Sequence, residues 1–378
     1  MFRRLILPLL GVLTLCLAVA PPASAIGAFG TPRTVVDPGC GPDVAASDFV
    51  QDTSGRSRGF VNLFGSDCNA AQKITYVSGL NGTWSRQATP YRGFPVASAW
   101  DSTGTYLLYV GYPTLGLYVT KRYSNGSFGT PRLLSSRVGP DGSLLSGDLV
   151  ARNGRWWAVW REHVSGTGTP GDEFAQTELF QAHTFDGVFH GRTRITANPR
   201  WDGAPSLALT PGTGYPVRLV WTRGDSDFGG AAGTDLWLAT STAAGVWTSA
   251  PFATVGTNNF WPDVAVVGSS VLVAWNRDGR ILAASRTGSA TMTKSFAVPG
   301  LQHVRPRLAA FGGVVAVAWT GTGYRSYVAE RVGSTWSGTY ATPVTPGIQH
   351  LVGVATSGGR STAISMFHGS RLVSTTEN

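Results

Sequence analysis

Lysine is almost missing from this chain: Lys73, Lys121 and Lys294 are the only three, so nearly all the positive charge behind the formal +9 is arginine. Those arginines are scattered, with no basic cluster and no aromatic–basic stripe, and nucleic acid is not an expected partner. Charged residues make up only 13% of the chain, and the long runs of Ala, Glu, Lys and Leu that favour helices are absent. Catalytic signatures are absent too. The chain has no His-Glu-x-x-His, no zinc-spaced Cys/His set, no phosphate loop and no Gly-x-Ser-x-Gly. Beyond residue 20 no apolar run reaches 18 residues, so no membrane insertion is expected after the leader.

The leader itself is legible. Arg3 and Arg4 form a short basic region, Leu5 to Ala20 is apolar, and Ala23-Ser24-Ala25 is a small-residue cleavage pattern. Residues 1–25 therefore read as a signal peptide and 26–378 as one secreted, extracellular domain. Losing Arg3 and Arg4 takes the formal charge from +9 to +7. Cysteine is scarce: Cys16 lies in the leader, and Cys40 and Cys68 follow it. In an exported protein such a pair is expected to be a disulfide. It would close a loop of roughly 28 residues, for which chain entropy gives about 3–4 kcal/mol.

What the chain has in quantity is glycine (49), proline (22) and tryptophan (13). Short aromatic and β-branched runs between turn residues predict an all-β protein. The runs repeat. "PDVAVVGSSVLVAWNRDGRILAASRTGSA" from Pro262 parallels "PRLAAFGGVVAVAWTGTGYRSYVAERVGSTWSG" from Pro306, and "PSLALTPGTGYPVRLVWTRG" from Pro205 begins the same way. A buried second strand is expected at 59–64, 105–110, 156–160, 217–221, 271–275, 314–319 and 362–367. Several of these runs are continuously apolar, which predicts that both faces are covered. A third strand is expected after each, at 73–78, 116–121, 178–184, 235–240, 280–285, 326–331 and 370–374. Asn-Gly turns at Asn81 and Asn125 then lead to outer strands. Seven four-stranded antiparallel units at this spacing predict a seven-bladed β-propeller.

One fragment occurs twice. "IGAFGTPRTV" from Ile26 matches "NGSFGTPRLL" from Asn125, which reads as an outer strand. The last unit ends at Asn378 after three expected strands. The spare copy at 26–35 would supply its fourth, closing the ring and removing an exposed strand edge.

The phrases "GTWSRQATP" (Gly82), "GVWTSAPF" (Gly245) and "GSTWSGTYATP" (Gly333) resemble the turn of the sialidase-like and bacterial propeller-lectin families, roughly Ser-x-Asp-x-Gly-x-Thr-Trp. The pattern departs at the Asp, where these turns carry Asn81, Asn125 and Ala243 or Ala244. The resemblance implies a propeller with a carbohydrate site on the face where each first strand begins. Seven blades resemble the fucose-binding propeller lectins more than the six-bladed sialidases. A sialidase would further require three arginines, for which Arg92, Arg161 and Arg305 are available, and a Tyr–Glu pair that this sequence does not place.

Loops on that face hold the candidates. Those before first strands carry Arg92, Trp201 and Asp202, Asn258, Asn259 and Trp261, His303 and Arg305, and His350. Tryptophan beside Asp or Asn suits sugar, with the ring stacking on C–H faces and the polar group meeting hydroxyls. Arg92, Trp201, Asp202, Asn259, Trp261, His303 and Arg305 are the expected ligand contacts. The same tryptophans also fit a packing role between blades. Two long acidic loops follow Arg161 and Thr222. Their Glu162, Asp172, Glu173, Asp225 and Asp227 have the oxygens to hold calcium, or to act as paired carboxylates on a glycoside, with Glu173 and Asp225 as catalytic candidates. No defined calcium-loop spacing is present, so no cofactor is expected. The leading expectation is a monomeric, non-enzymatic, lectin-like binder of glycan. A sialidase-like glycoside hydrolase and a protein-interaction platform are the alternatives.

Overall fold

The computed structural model describes residues 33–36, 44–47, 49–52, 54–63, 73–80, 83–136, 146–164, 177–212, 217–224, 233–253, 258–287, 290–297, 299–300, 305–311, 313–342, 349–357, 360–367 and 372–376. The leader, Cys16, Cys40, Cys68, Asp172, Glu173, Asp225, Asp227 and His303 lie outside them.

The described chain is almost wholly antiparallel β, with one short 3₁₀ turn at Thr322–Tyr324. Its strands form six sheets. Four have four strands each: 147–194, 201–253, 259–295, and 349–376 completed by Arg33–Val36. A fifth, 307–341, has five because its outer strand is broken into Thr335–Trp336 and Tyr340–Ala341, both paired with Ser326–Val332. The sixth has eight strands and runs from 44 to 135. All seven second strands and all seven third strands expected from the sequence are present, shifted by a few residues at most.

The count of seven separate blades is corrected. Five sheets stand as separate blades, and the first two sequence units form a single eight-stranded sheet. The cause is Thr83–Asp101, one strand of 19 residues. Its first half pairs with Lys73–Leu80 and its second half with Gly104–Gly111. Pro90 and Pro95 in this segment would ordinarily interrupt a ladder, since proline cannot donate to one. The chain nonetheless passes through Gly93 at φ +138°, where a Cβ would strike the carbonyl oxygen of Val110. A register shift between Pro95 and Ala97 then accommodates the second proline.

Closure occurs as the duplicated fragment indicates. Arg33 pairs with Ser374 and Thr34 with Val373, so a strand from near the amino end completes the last sheet. Phe29 and Pro32, the most distinctive residues of that fragment, lie outside the described residues.

The inner strands follow one another in chain order around a common axis, each packing on the next, and Gln349–Ser357 reaches back to Val50–Gln51. The core is a ring of layers between neighbouring sheets. One layer joins Leu108 and Val110 to Trp160 and Phe180, another joins Trp157 and Leu179 to Leu219 and Trp221, and another joins Val220 to Val273 and Trp275. Second strands such as Arg155–His163, Val217–Gly224 and Ser270–Arg277 are thus covered on both faces. This is why Val271–Trp275 and Val314–Trp319 are continuously apolar rather than alternating.

Candidate ligand-binding face

The face of interest is where inner strands begin, second strands end and third strands begin. Trp201 pairs with Gly224, and Gly224 with Thr234. Most of the sequence candidates gather here, but several are committed to holding the scaffold.

Asp202 has no exposed surface. Its Oδ1 accepts from Trp221 Nε1 and Arg223 Nε, both at 2.7 Å, and its Oδ2 from Asn198 Nδ2 at 2.5 Å. Asn259 repeats the arrangement one sheet later. Also fully buried, its Oδ1 accepts from Trp275 Nε1 at 3.0 Å and Arg277 Nε at 2.8 Å, while its Nδ2 donates to the Thr234 carbonyl at 2.9 Å. A threonine at the head of the preceding third strand secures each backbone: Thr177 Oγ1 donates to Asp202 O at 3.0 Å and Thr234 Oγ1 to Asn259 O at 2.8 Å. Buried polar groups require such partners. Trp201 is 1% exposed, with the Arg161 guanidinium 5.5 Å from its ring centroid. The structure therefore places Trp201, Asp202 and Asn259 inside the protein rather than on its surface.

Three candidates keep exposed or half-buried surface on this face. Arg92 is exposed. Trp261 is half-buried at φ +53° on a register shift between Phe260 and Asp263. Arg305 is mostly buried, with its Nη2 3.3 Å from Asp263 Oδ1 and 3.2 Å from the Pro205 carbonyl. Asp263 also accepts from Ser206 Oγ at 2.6 Å and Leu308 N at 2.7 Å, linking three successive inner strands. Asp148 makes a similar link through Leu207 N at 2.7 Å.

Glu162, one of the carboxylates expected to hold calcium or act on a glycoside, is engaged within the scaffold. Its side chain is fully buried, Arg192 binds both its oxygens, and Trp160 Nε1 donates to Oε1 at 2.5 Å. Glu178 is held in turn by Arg194 Nη2 at 2.7 Å and Asn198 N at 2.8 Å.

The structure also assembles a group at the opposite end of the ring that the sequence search for metal-ligand spacing passed over. His183 ends the third strand Thr177–His183, and His190 opens the outer strand His190–Arg194. Asp186 lies in the turn between them, and its Oδ2 meets His190 Nε2 at 2.6 Å. The imidazole of His183 stacks on Trp157 at 4.1 Å and on His190 at 4.5 Å. Burial first, and then the neighbouring His190, push the His183 pKa down to about 4. The missed signal was "HTFDGVFH", His-x-x-Asp-x-x-x-His across a hairpin turn.

No protein-family model matches the chain, and no curated protein matches it in sequence. Solved structures do resemble it in fold. A puromycin-hydrolysing peptidase from Mycobacterium tuberculosis aligns at TM-score 0.54 and 15% identity over 90% of this chain, which spans 53% of that peptidase. A fungal lectin from Aleuria aurantia, described as a six-bladed β-propeller with a novel fucose recognition mode, aligns at 0.51 and 16% identity, covering 81% of this chain and 97% of the lectin. The polysaccharide lyase Uly1 aligns at 0.53 and 10% identity, covering 88% and 90%. Together with the sheet topology, these likenesses establish an all-β propeller built of four-stranded antiparallel blades. At such identities they speak to fold alone.

Proposed function

We propose that this protein is a secreted, monomeric propeller of one domain (26–378) that binds an extracellular glycan without turning it over, on the face where the inner strands begin. What supports this reading is the state of the carboxylates there. Among the described residues, Asp202, Glu162, Glu178 and Asp263 are each already engaged by an arginine. A glycosidase needs two carboxylates about 5–10 Å apart and free to reach a substrate. Among the described residues, expected contacts with surface on this face are of a different kind: an exposed guanidinium at Arg92 and a half-buried indole at Trp261. An indole stacks on sugar C–H faces and a guanidinium donates to hydroxyls or carboxylates, as in binding sites that do no chemistry. The fold likeness to a fucose lectin and a polysaccharide lyase agrees with carbohydrate as the ligand class, and the lyase keeps a catalytic alternative in view.

A glycan array run beside a panel of chromogenic glycosides tests the reading. Binding to a defined glycan is expected, weakened about tenfold or more in Trp261→Ala, since truncating an aromatic contact anchor commonly costs more than about 1.4 kcal/mol, a tenfold change in affinity. Turnover of any glycoside that disappears in Glu173→Gln or Asp225→Asn would instead assign the protein to the hydrolases.

A further inference from the structure

We propose that His183, Asp186 and His190 form a binding site for a divalent transition-metal cation of the zinc class, at the end of the ring opposite the glycan face. One ligand atom from each residue lies within 4.8 Å of those from the other two, close enough for small side-chain movements to bring all three onto one ion. Two imidazoles and one carboxylate are a donor set that zinc and its first-row neighbours accept, and three protein ligands leave a further position for water. Calcium and magnesium prefer all-oxygen shells, so nitrogen donors argue against them.

The hairpin fixes the arrangement. Gly187 N donates to Thr184 O at 2.9 Å, and Gly187 takes φ +90°, which folds the turn back on itself. Within that turn Val188 N donates to Asp186 Oδ1 at 3.0 Å, so the other oxygen, Oδ2, is directed at His190. Such outer hydrogen bonds commonly orient metal ligands. His183 is held on the other side. Its ring lies against Trp157, and a Cβ on Gly245 of the neighbouring sheet would come within 2.7 Å of its Nε2. The His183 side chain is buried, and its Nδ1 has no hydrogen-bond partner, a state that costs free energy unless something completes it. Asp186 is exposed and His190 half-buried, which gives an ion a path from solvent. The cation would sit between Asp186 Oδ2 and His190 Nε2, with His190 bound as a neutral imidazole that carries its one ring proton on Nδ1.

The test uses the full secreted chain, free of any affinity tag and stripped with chelator, titrated with Zn²⁺ by calorimetry. One equivalent is expected to bind. Asp186→Asn and His190→Ala alter side chains at the surface, and circular dichroism and thermal melting establish that each still folds. Each is expected to weaken binding by about tenfold or more. Co²⁺ loaded in place of Zn²⁺ should give visible d–d absorption that both variants lose. Three results would overturn the proposal: no Zn²⁺ bound by the parent chain, equal binding by the two folded variants, or a preference for Ca²⁺ over Zn²⁺.

Discussion

Asp202 and Asn259 occupy equivalent places, three residues before Pro205 and Pro262, and each holds a tryptophan and an arginine two residues apart on the paired strand: Trp221 and Arg223, Trp275 and Arg277. The carboxylate–guanidinium pair at Asp202 is buried on the acid's side and mostly buried on the other. Asp202→Ala strands Arg223 and the indole N–H of Trp221 together, and should cost about 3–5 kcal/mol of stability. Asp202→Asn copies the Asn259 arrangement at Oδ1 but turns an amide toward Asn198 Nδ2, so its cost should be smaller. Equilibrium urea unfolding ranks the two, and equal costs would show that the charge matters little. The sequence placed Asp202 and Asn259 near the starts of first strands, yet it could not reveal that their polar atoms were already taken. Trp221 and Arg223 lie about twenty residues from Asp202, and only strand pairing brings them together.

Between strands, the outer turns are tied to the preceding unit by glutamine. Gln181 Nε2 donates to the Gly245 carbonyl at 2.9 Å, and its Oε1 accepts from Trp157 Nε1 at 3.1 Å and Trp247 Nε1 at 2.8 Å. Gln87 Nε2 likewise donates to the Gly126 carbonyl at 3.0 Å. The turns themselves were readable from Asn125-Gly126 and Gly245, because φ of +89° and +82° at those glycines is a local requirement. Their glutamine anchors were not, lying 39 and 64 residues away in sequence. Gly245→Ala forces a left-handed conformation and pushes a methyl toward His183 Nε2 and Gln181 Nε2. His183 is clamped between Trp157 and His190 and cannot step aside freely. The substitution should cost about 1–3 kcal/mol, read as a lowered midpoint in denaturant unfolding. An unchanged midpoint would mean the neighbouring turn moves at little cost.

At the scale of the molecule, the ring depends on Arg33–Val36 lying against Leu372–Thr376. Deleting Arg33–Val36 and the chain before it leaves Leu372–Thr376 as an open edge, the kind of surface that pairs with other chains. Such a truncation should melt at a lower temperature and self-associate, seen in calorimetry and light scattering. Hydrogen exchange should rise first in Leu372–Thr376. A truncated chain that melts and elutes like the parent would separate closure from stability. The eight-stranded sheet was not legible in the sequence. Prolines at 90 and 95 would ordinarily interrupt a ladder, whereas Gly93 and a register shift let one strand serve both neighbours.

The chain's repeating apolar runs, its turn glycines and its duplicated GTPR fragment were enough to place the second and third strands and the closing contact, because each is set by local geometry and period-matched burial. Which polar side chains remain free was decided by tertiary structure alone. Asp202 and Asn259 are consumed by an arginine and an indole from the paired strand, and Glu162 by Arg192 of another strand beside Trp160 of its own, while His183, Asp186 and His190 meet only because a hairpin folds them onto one another. A side chain's chemistry depends on what else reaches it, and here those partners are assembled by pairing across strands and between sheets.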